Sequence, residues 1–158
     1  MKTDGSEMNV LMLAITFNFL MENEFDDLQD SILEDARRTY SETTIEHFMD
    51  PRNLGPMDGA DAFAEFHGPC GDTIGIWVKV KDGTLTDVRF ITDGCGTSIA
   101  SGSMITELAK GKDVDHAKKI SQEDVLTALG GFPQEKEHCA MLAIMSLRKA
   151  IKSLPETE

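Results

Sequence analysis

Apolar positions change their spacing along the chain, and each change marks a different kind of element. From Phe25 the residues Phe25, Leu28, Ile32, Ala36 and Tyr40 recur at steps of three and four. Asp26, Asp27, Asp30, Glu34 and Asp35 fall between them, which predicts an amphipathic helix with a solvated acidic face. A second, short helix over Glu42 to Met49 is expected to stop at Asp50-Pro51, because a residue before proline avoids helical geometry. Pro51 to Gly59 carries two prolines and two glycines and reads as loop. The period then shortens to two. Phe63 to His67 is expected to form a strand. Ile74, Ile76, Val78 and Val80 alternate with Gly75, Trp77, Lys79 and Lys81, Asp82-Gly83 signals a hairpin, and Leu85 to Ile91 returns. From Thr97 the helical period resumes, with Ala100, Met104, Ile105 and Leu108 inward and Gly111 as the stop. Asp113 to Ile120 reads as a short helix. Ser121 caps the next, with Asp124 at the capping-box position and Gly130-Gly131 at its end. Glu135 to Leu154 is the longest, striped by Ala140, Ala143, Ile144, Leu147, Ile151 and Leu154. The sum is an α+β fold: a three-stranded antiparallel sheet with helices packed around it.

Charge narrows the partners. The 158 residues carry a formal net charge of −13. Residues 1–44 alone hold ten acidic against three basic side chains. Such a surface repels phosphate backbones and anionic lipid, arguing against nucleic acid or a membrane as partner. The apolar run Val10 to Met21 is shorter than the roughly 20 residues a spanning helix needs. Asp4 and Glu7 outweigh Lys2 before it, unlike a signal peptide. It is left as a helix packed on the domain, a segment ahead of a start at Met21, or an interaction helix. Three cysteines, an odd number, exclude a full disulfide framework and favour a reducing compartment, the cytoplasm.

The cysteines fall where the period changes. Cys70 lies in Gly68-Pro69-Cys70-Gly71-Asp72, between the first two strands. Cys95 lies in Asp93-Gly94-Cys95-Gly96, between the last strand and a helix. Cys139 follows His138 at the start of the final helix. Glycines beside two of them let backbone approach a bound group closely. Helix N-termini at Cys95 and Cys139 favour the thiolates that bind metal or attack sulfur. None is expected to sit mid-stripe, as a core cysteine would. The spacing is not that of a local zinc finger, since CxxC is absent. Cysteines gathered from three loops suggest a site assembled on a prefolded domain. His47, His67 and His116 lack comparable partners and read as ordinary residues.

Tyr40-Ser41, Phe48-Met49-Asp50-Pro51-Arg52-Asn53-Leu54-Gly55, Gly-Pro-Cys70-Gly-Asp72, Gly-Cys95-Gly-Thr-Ser-Ile-Ala-Ser-Gly-Ser-Met and His138-Cys139 together resemble the U-type iron–sulfur cluster assembly scaffolds, the IscU and NifU N-terminal family. The resemblance runs from about Tyr40 to Ile151. It implies a SufE/NifU-like domain over 40–154, with 1–39 as a helical extension of no assigned role. It also implies a scaffold and carrier, not an enzyme. Such a protein takes sulfur from a cysteine desulfurase and iron from a donor, builds a 2Fe–2S cluster, in some cases 4Fe–4S, and passes it to apo-proteins. Carried over residue by residue, Cys70, Cys95 and Cys139 become thiolate ligands and His138 a further ligand. Asp72 becomes the labilising carboxylate or a ligand, and Cys139 the persulfide acceptor. Zinc is implied at the same site in the apo form, and the state as monomer or homodimer.

The chain departs from the family in one motif. Phe132-Pro133-Gln134-Glu135-Lys136 stands where a Leu-Pro-Pro-Val-Lys segment is read by a dedicated chaperone, which argues against that partner. Independently of the name, a transferable cluster needs soft thiolates for iron and a harder, exchangeable ligand to let it leave. Lys136 is placed to favour the Cys139 thiolate. The alternative function is a zinc-dependent acceptor that relays persulfide without building clusters.

Overall fold

The structure is a computed structural model and describes residues 24–156. The Val10–Met21 segment lies outside them. Contacts divide the chain at Arg38/Thr39. Residues 24–39 form helix α1. Its acidic face is solvated as expected, while Phe25, Leu28 and Ile32 on the apolar stripe are also exposed.

The second unit is built on three strands, β1 (Ala62–His67), β2 (Thr73–Lys81) and β3 (Thr84–Thr92), antiparallel in the order β1-β2-β3. Alternation sends one row of side chains to each face. Ala64, Ile76 and Phe90 are cross-strand partners, as are Ala62, Val78 and Val88, and all are buried on the inner face. Phe63, Trp77 and Arg89 form a row on the outer face, where the Phe63 and Trp77 rings lie 4.5 Å apart. The hairpin signal is met literally: Asp82 and Gly83 both have positive φ, which suits the twist of the flanking strands.

Helices cover the inner face. Helix α2 (Glu42–Met49) starts at Ser41, whose hydroxyl accepts from the Thr44 N–H at 3.0 Å. Helices α3 (Gly96–Ala109) and α6 (His138–Lys152) pack on each other, α3 against β3 and α6 against β1 and β2. Between α3 and α6 lie α4 (Val114–Ala117) and α5 (Gln122–Leu129), the latter closed by the expected Ser121–Asp124 capping box. Approach of α3 to the sheet is close: a Cβ at Gly102 would stand 2.5 Å from Phe90 Cε2. The loop after α2 is pinned to α3. The Arg52 N–H donates to Ser103 Oγ at 2.9 Å, the same hydroxyl lies 2.7 Å from His47 Nδ1, and Arg52 contacts His47 Nε2 and Glu46. His47, expected to be an ordinary residue, is the buried centre of that chain of bonds.

The short helix expected over Asp113 to Ile120 is a single turn, Val114–Ala117, and the last helix stops at Lys152, short of Leu154. The last helix begins at His138 and not at Glu135. Pro133 starts a separate 3₁₀ turn over Gln134–Lys136, held by the Lys136 N–H to Pro133 C=O bond of 2.8 Å.

Candidate metal centre

Three connections meet at one end of the sheet. The β1–β2 loop is closed by the Gly68 N–H donating to the Asp72 carbonyl at 2.8 Å and the Gly71 N–H donating to the Gly68 carbonyl at 3.1 Å. The Thr73 N–H donates to Asp93 Oδ1 at 2.7 Å, tying this loop to the segment that follows β3. Cys95 is the N-cap of α3 and Cys139 lies in the first turn of α6. These placements bring one ligand atom each from Asp72, Cys95 and Cys139 within 4.8 Å of one another. Gly94 leaves the room, since a Cβ there would stand 2.7 Å from Asp72 Oδ2 and 2.6 Å from Ser98 Cβ.

Two hydroxyls that the sequence reading did not single out knit the cluster. Thr97 Oγ1 lies between the sulfurs, 3.1 Å from Cys95 Sγ and 3.3 Å from Cys139 Sγ. Ser98 Oγ donates to Asp72 Oδ2 at 2.9 Å and to Cys139 Sγ at 3.5 Å. Both side chains are buried in the opening turn of α3. Part of their signal was present: in a helix capped by a cysteine, a hydroxyl two residues later sits beside its sulfur, as that of Thr97 does.

Burial separates the thiols. Cys70 and Cys95 are exposed, whereas Cys139 is buried and belongs to the hydrophobic core. Desolvation pushes the Cys139 thiol up, and the neighbouring Cys95 and Cys70 sulfurs add to this against the Thr97 and Ser98 hydrogen bonds. At Cys95 partial desolvation also raises the thiol. There it is outweighed by the Thr97 hydroxyl, the Ser98 and Thr97 N–H groups and the charge of Lys136, so the thiol is held below its ordinary range. The expectation that both helix-start thiols are lowered is therefore corrected: the surroundings lower the Cys95 thiol and raise that of Cys139. Lys136, expected to act on Cys139, lowers Cys95.

The remaining expected residues surround this group. Cys70 lies outside the 4.8 Å cluster. Its sulfur and Leu142 Cδ1 of α6 both stand against the site of a Gly68 Cβ, at 3.5 and 3.3 Å. His138 Nε2 lies 3.7 Å from Cys139 Sγ. His67 instead pairs with Thr73 Oγ1 at 2.6 Å, and His116 pairs with Asp113. Two soft sulfurs and one hard oxygen, with a third thiol and an imidazole nearby, form a donor set suited to iron or zinc.

Comparison with known proteins gives the family. Residues 39–158 match the family described as the NifU-like N terminal domain. The iron–sulfur cluster assembly scaffold protein IscU 1 of Archaeoglobus fulgidus is 46% identical over 113 residues, covering 71% of this chain and 74% of that relative. The iron–sulfur cluster assembly protein IscU of Plasmodium falciparum is 38% identical over 150 residues, 91% of this chain and 88% of the relative. That coverage reaches into the first 39 residues. The crystal structure of a NifU-like N-terminal protein from Brucella abortus superposes with a TM-score of 0.57 at 20% identity, over 72% of this chain and 92% of that one, and shares the fold.

Proposed function

Because this chain belongs to the NifU-like N-terminal domain family, we propose that the Asp72, Cys95 and Cys139 cluster is the platform on which it assembles iron–sulfur clusters. The protein is an iron–sulfur cluster assembly scaffold, as its relatives of that name are. The observation that carries the site assignment is the meeting of one carboxylate and two sulfurs within 4.8 Å. The cluster is cargo, and the site is graded accordingly. Cys139 is a deep anchor. Cys95 and Cys70 are outer thiols that a recipient can reach, and His138 is a further ligand at the rim. Asp72 supplies a hard oxygen that binds iron weakly and helps it leave.

The finer reading is a 2Fe–2S product, with 4Fe–4S as a later stage, and zinc on the same donors when iron is absent. Sulfur comes from a cysteine desulfurase, iron from a donor protein, and apo-proteins receive the cluster. Cys139 is the principal persulfide acceptor. These roles are proposed to reside in residues 40–154. Among the described residues no helix is long and apolar enough to cross a membrane.

Anaerobic incubation with ferrous iron, cysteine and a cysteine desulfurase is the test. The expected result is a coloured protein with visible sulfur-to-iron charge-transfer bands. Colourless protein holding one tight zinc and a stable persulfide would replace the scaffold reading with a zinc-dependent sulfur acceptor.

A further inference from the structure

We propose that Ser98 is a positioning residue of the metal centre: its hydroxyl turns the Asp72 carboxylate toward the two thiols and holds it there as a ligand. This rests on the scaffold reading and specifies what keeps the hard donor in place.

Backbone bonds decide where Asp72 sits but not which way its side chain turns. The Asp72 carbonyl accepts from the Gly68 N–H, and the loop's other bond runs from the Gly71 N–H to the Gly68 carbonyl. Neither touches the carboxylate. Asp72 is only half-buried, and without a partner its side chain would turn to water. Ser98 supplies that partner from the first turn of α3, donating from Oγ to Asp72 Oδ2 at 2.9 Å. Ser98 is itself 0% exposed, and a hydroxyl shut away from water keeps the acceptor it has. The approach is built as well. A Cβ at Gly94 would stand 2.7 Å from both Asp72 Oδ2 and Ser98 Oγ, in the space where the two oxygens meet.

The same residue faces the other two ligands. Ser98 Oγ lies 3.5 Å from Cys139 Sγ, and the Ser98 N–H is among the groups that lower the Cys95 thiol. A hydroxyl carries one proton, so Asp72 and Cys139 compete for it. The carboxylate oxygen is nearer and is the stronger acceptor, so it takes the bond. The neighbouring hydroxyl has the complementary task, since Thr97 Oγ1 contacts both sulfurs. Thr97 serves the soft donors and Ser98 the hard one. A group that orients a metal ligand from behind is worth about 10–100-fold in metal affinity.

The test titrates the iron-free full-length protein anaerobically with Co2+ alone and follows the visible ligand-field bands. Ser98→Ala removes the hydroxyl, keeps the N–H beside Cys95 and raises helix propensity, so folding is not at stake. It should bind Co2+ about tenfold more weakly than the unaltered protein. Its bands should move toward those of Asp72→Ala, because the carboxylate is present in both proteins' absence of a clamp only as a mobile group or not at all. Added to Asp72→Ala, the same substitution should change affinity by less than about twofold, since the group it acts through is gone. An equal loss in both backgrounds would overturn the proposal, because Ser98 would then act through Cys139 or through packing. Unchanged affinity and bands in Ser98→Ala would overturn it too. Failure of the scaffold reading is seen separately, as unaltered protein that forms no chromophore from ferrous iron and inorganic sulfide, an assay without Co2+.

Discussion

Asp72 is the residue at which a structural and a chemical role part company. Its backbone carbonyl closes the β1–β2 loop through Gly68, and its carboxylate accepts from Ser98 at 2.9 Å. The loop contact uses the main chain, so Asp72→Ala retains it and loses only the side chain's bond, at a cost of about 1 kcal/mol. If the carboxylate labilises iron, the variant should hold its cluster longer than the unaltered protein and transfer it more slowly. Cys95→Ala, which removes a thiolate, should hold none stably. Decay of the visible chromophore in air, measured side by side, checks both, and equal half-lives for Asp72→Ala and the unaltered protein would leave the carboxylate a structural role alone. The composition of this site was legible in the sequence because Cys70, Asp72 and Cys95 sit beside glycines where the hydrophobic period breaks. The depth of Cys139 was legible too and was missed. Cys139 lies four residues before Ala143, which is four before Leu147 and another four before Ile151, so it is the first member of the buried stripe of α6. What one-dimensional spacing could not give is the inequality of the thiols. That depends on α3 placing Thr97 and Ser98, and the Gln134–Lys136 turn placing Lys136, around Cys95 while α6 turns Cys139 into the core.

Elements were the more legible level, because each announced itself by period and by punctuation. The alternation of β2, the Asp82-Gly83 turn, the Ser121–Asp124 box and the proline after α2 all act locally, and the chain obeys them. The start of α6 was misjudged because Gln134, Glu135 and Lys136 are good helix formers, and only the i→i+3 bonding after Pro133 makes them a tighter turn. Helix-to-sheet distance was not legible either. Gly102 reads as a flaw in a helix, yet it is where α3 meets the Phe90 ring. Gly102→Ala would raise helix propensity by up to about 1 kcal/mol. It would also force a methyl group to within 2.5 Å of a ring carbon in a fully buried layer. Overpacking of this kind costs about 1–3 kcal/mol, so the contact wins and net destabilisation is expected. Urea denaturation of the apo-protein should show a lower midpoint. A higher one would mean that α3 can retreat from β3 freely.

For the molecule as a whole, pH sets two effects against each other. With a net charge of −13, acidification toward the isoelectric point near 4.6 relieves self-repulsion and favours the folded state. His47 works the other way. Burial lowers its pKa below the ordinary 6.5, the Arg52 guanidinium lowers it further, and Glu46 and Glu107 oppose this. The unfolded chain therefore binds a proton more readily than the folded one. The stability His47 provides is fully present above pH 6.5 and is lost as pH falls through its depressed value, at no more than about 1.4 kcal/mol per pH unit. The capping carboxylates Asp113 and Asp124, whose pKa values are lowered chiefly by backbone N–H bonds from His116 and Ser121, act the same way only below their ordinary 3.8. Between these windows His47 contributes an acid sensitivity of its own. Charge relief is nearly common to the unaltered protein and to His47→Gln, so the difference in their stabilities isolates the imidazole. Denaturation of both apo-proteins from pH 7.5 to 5 should show the variant less stable at the upper end, because it loses the bridge from Ser103 to Arg52, and a gap that narrows as pH falls. A gap constant across that range would mean that His47 holds the loop by shape alone and takes up no proton on unfolding.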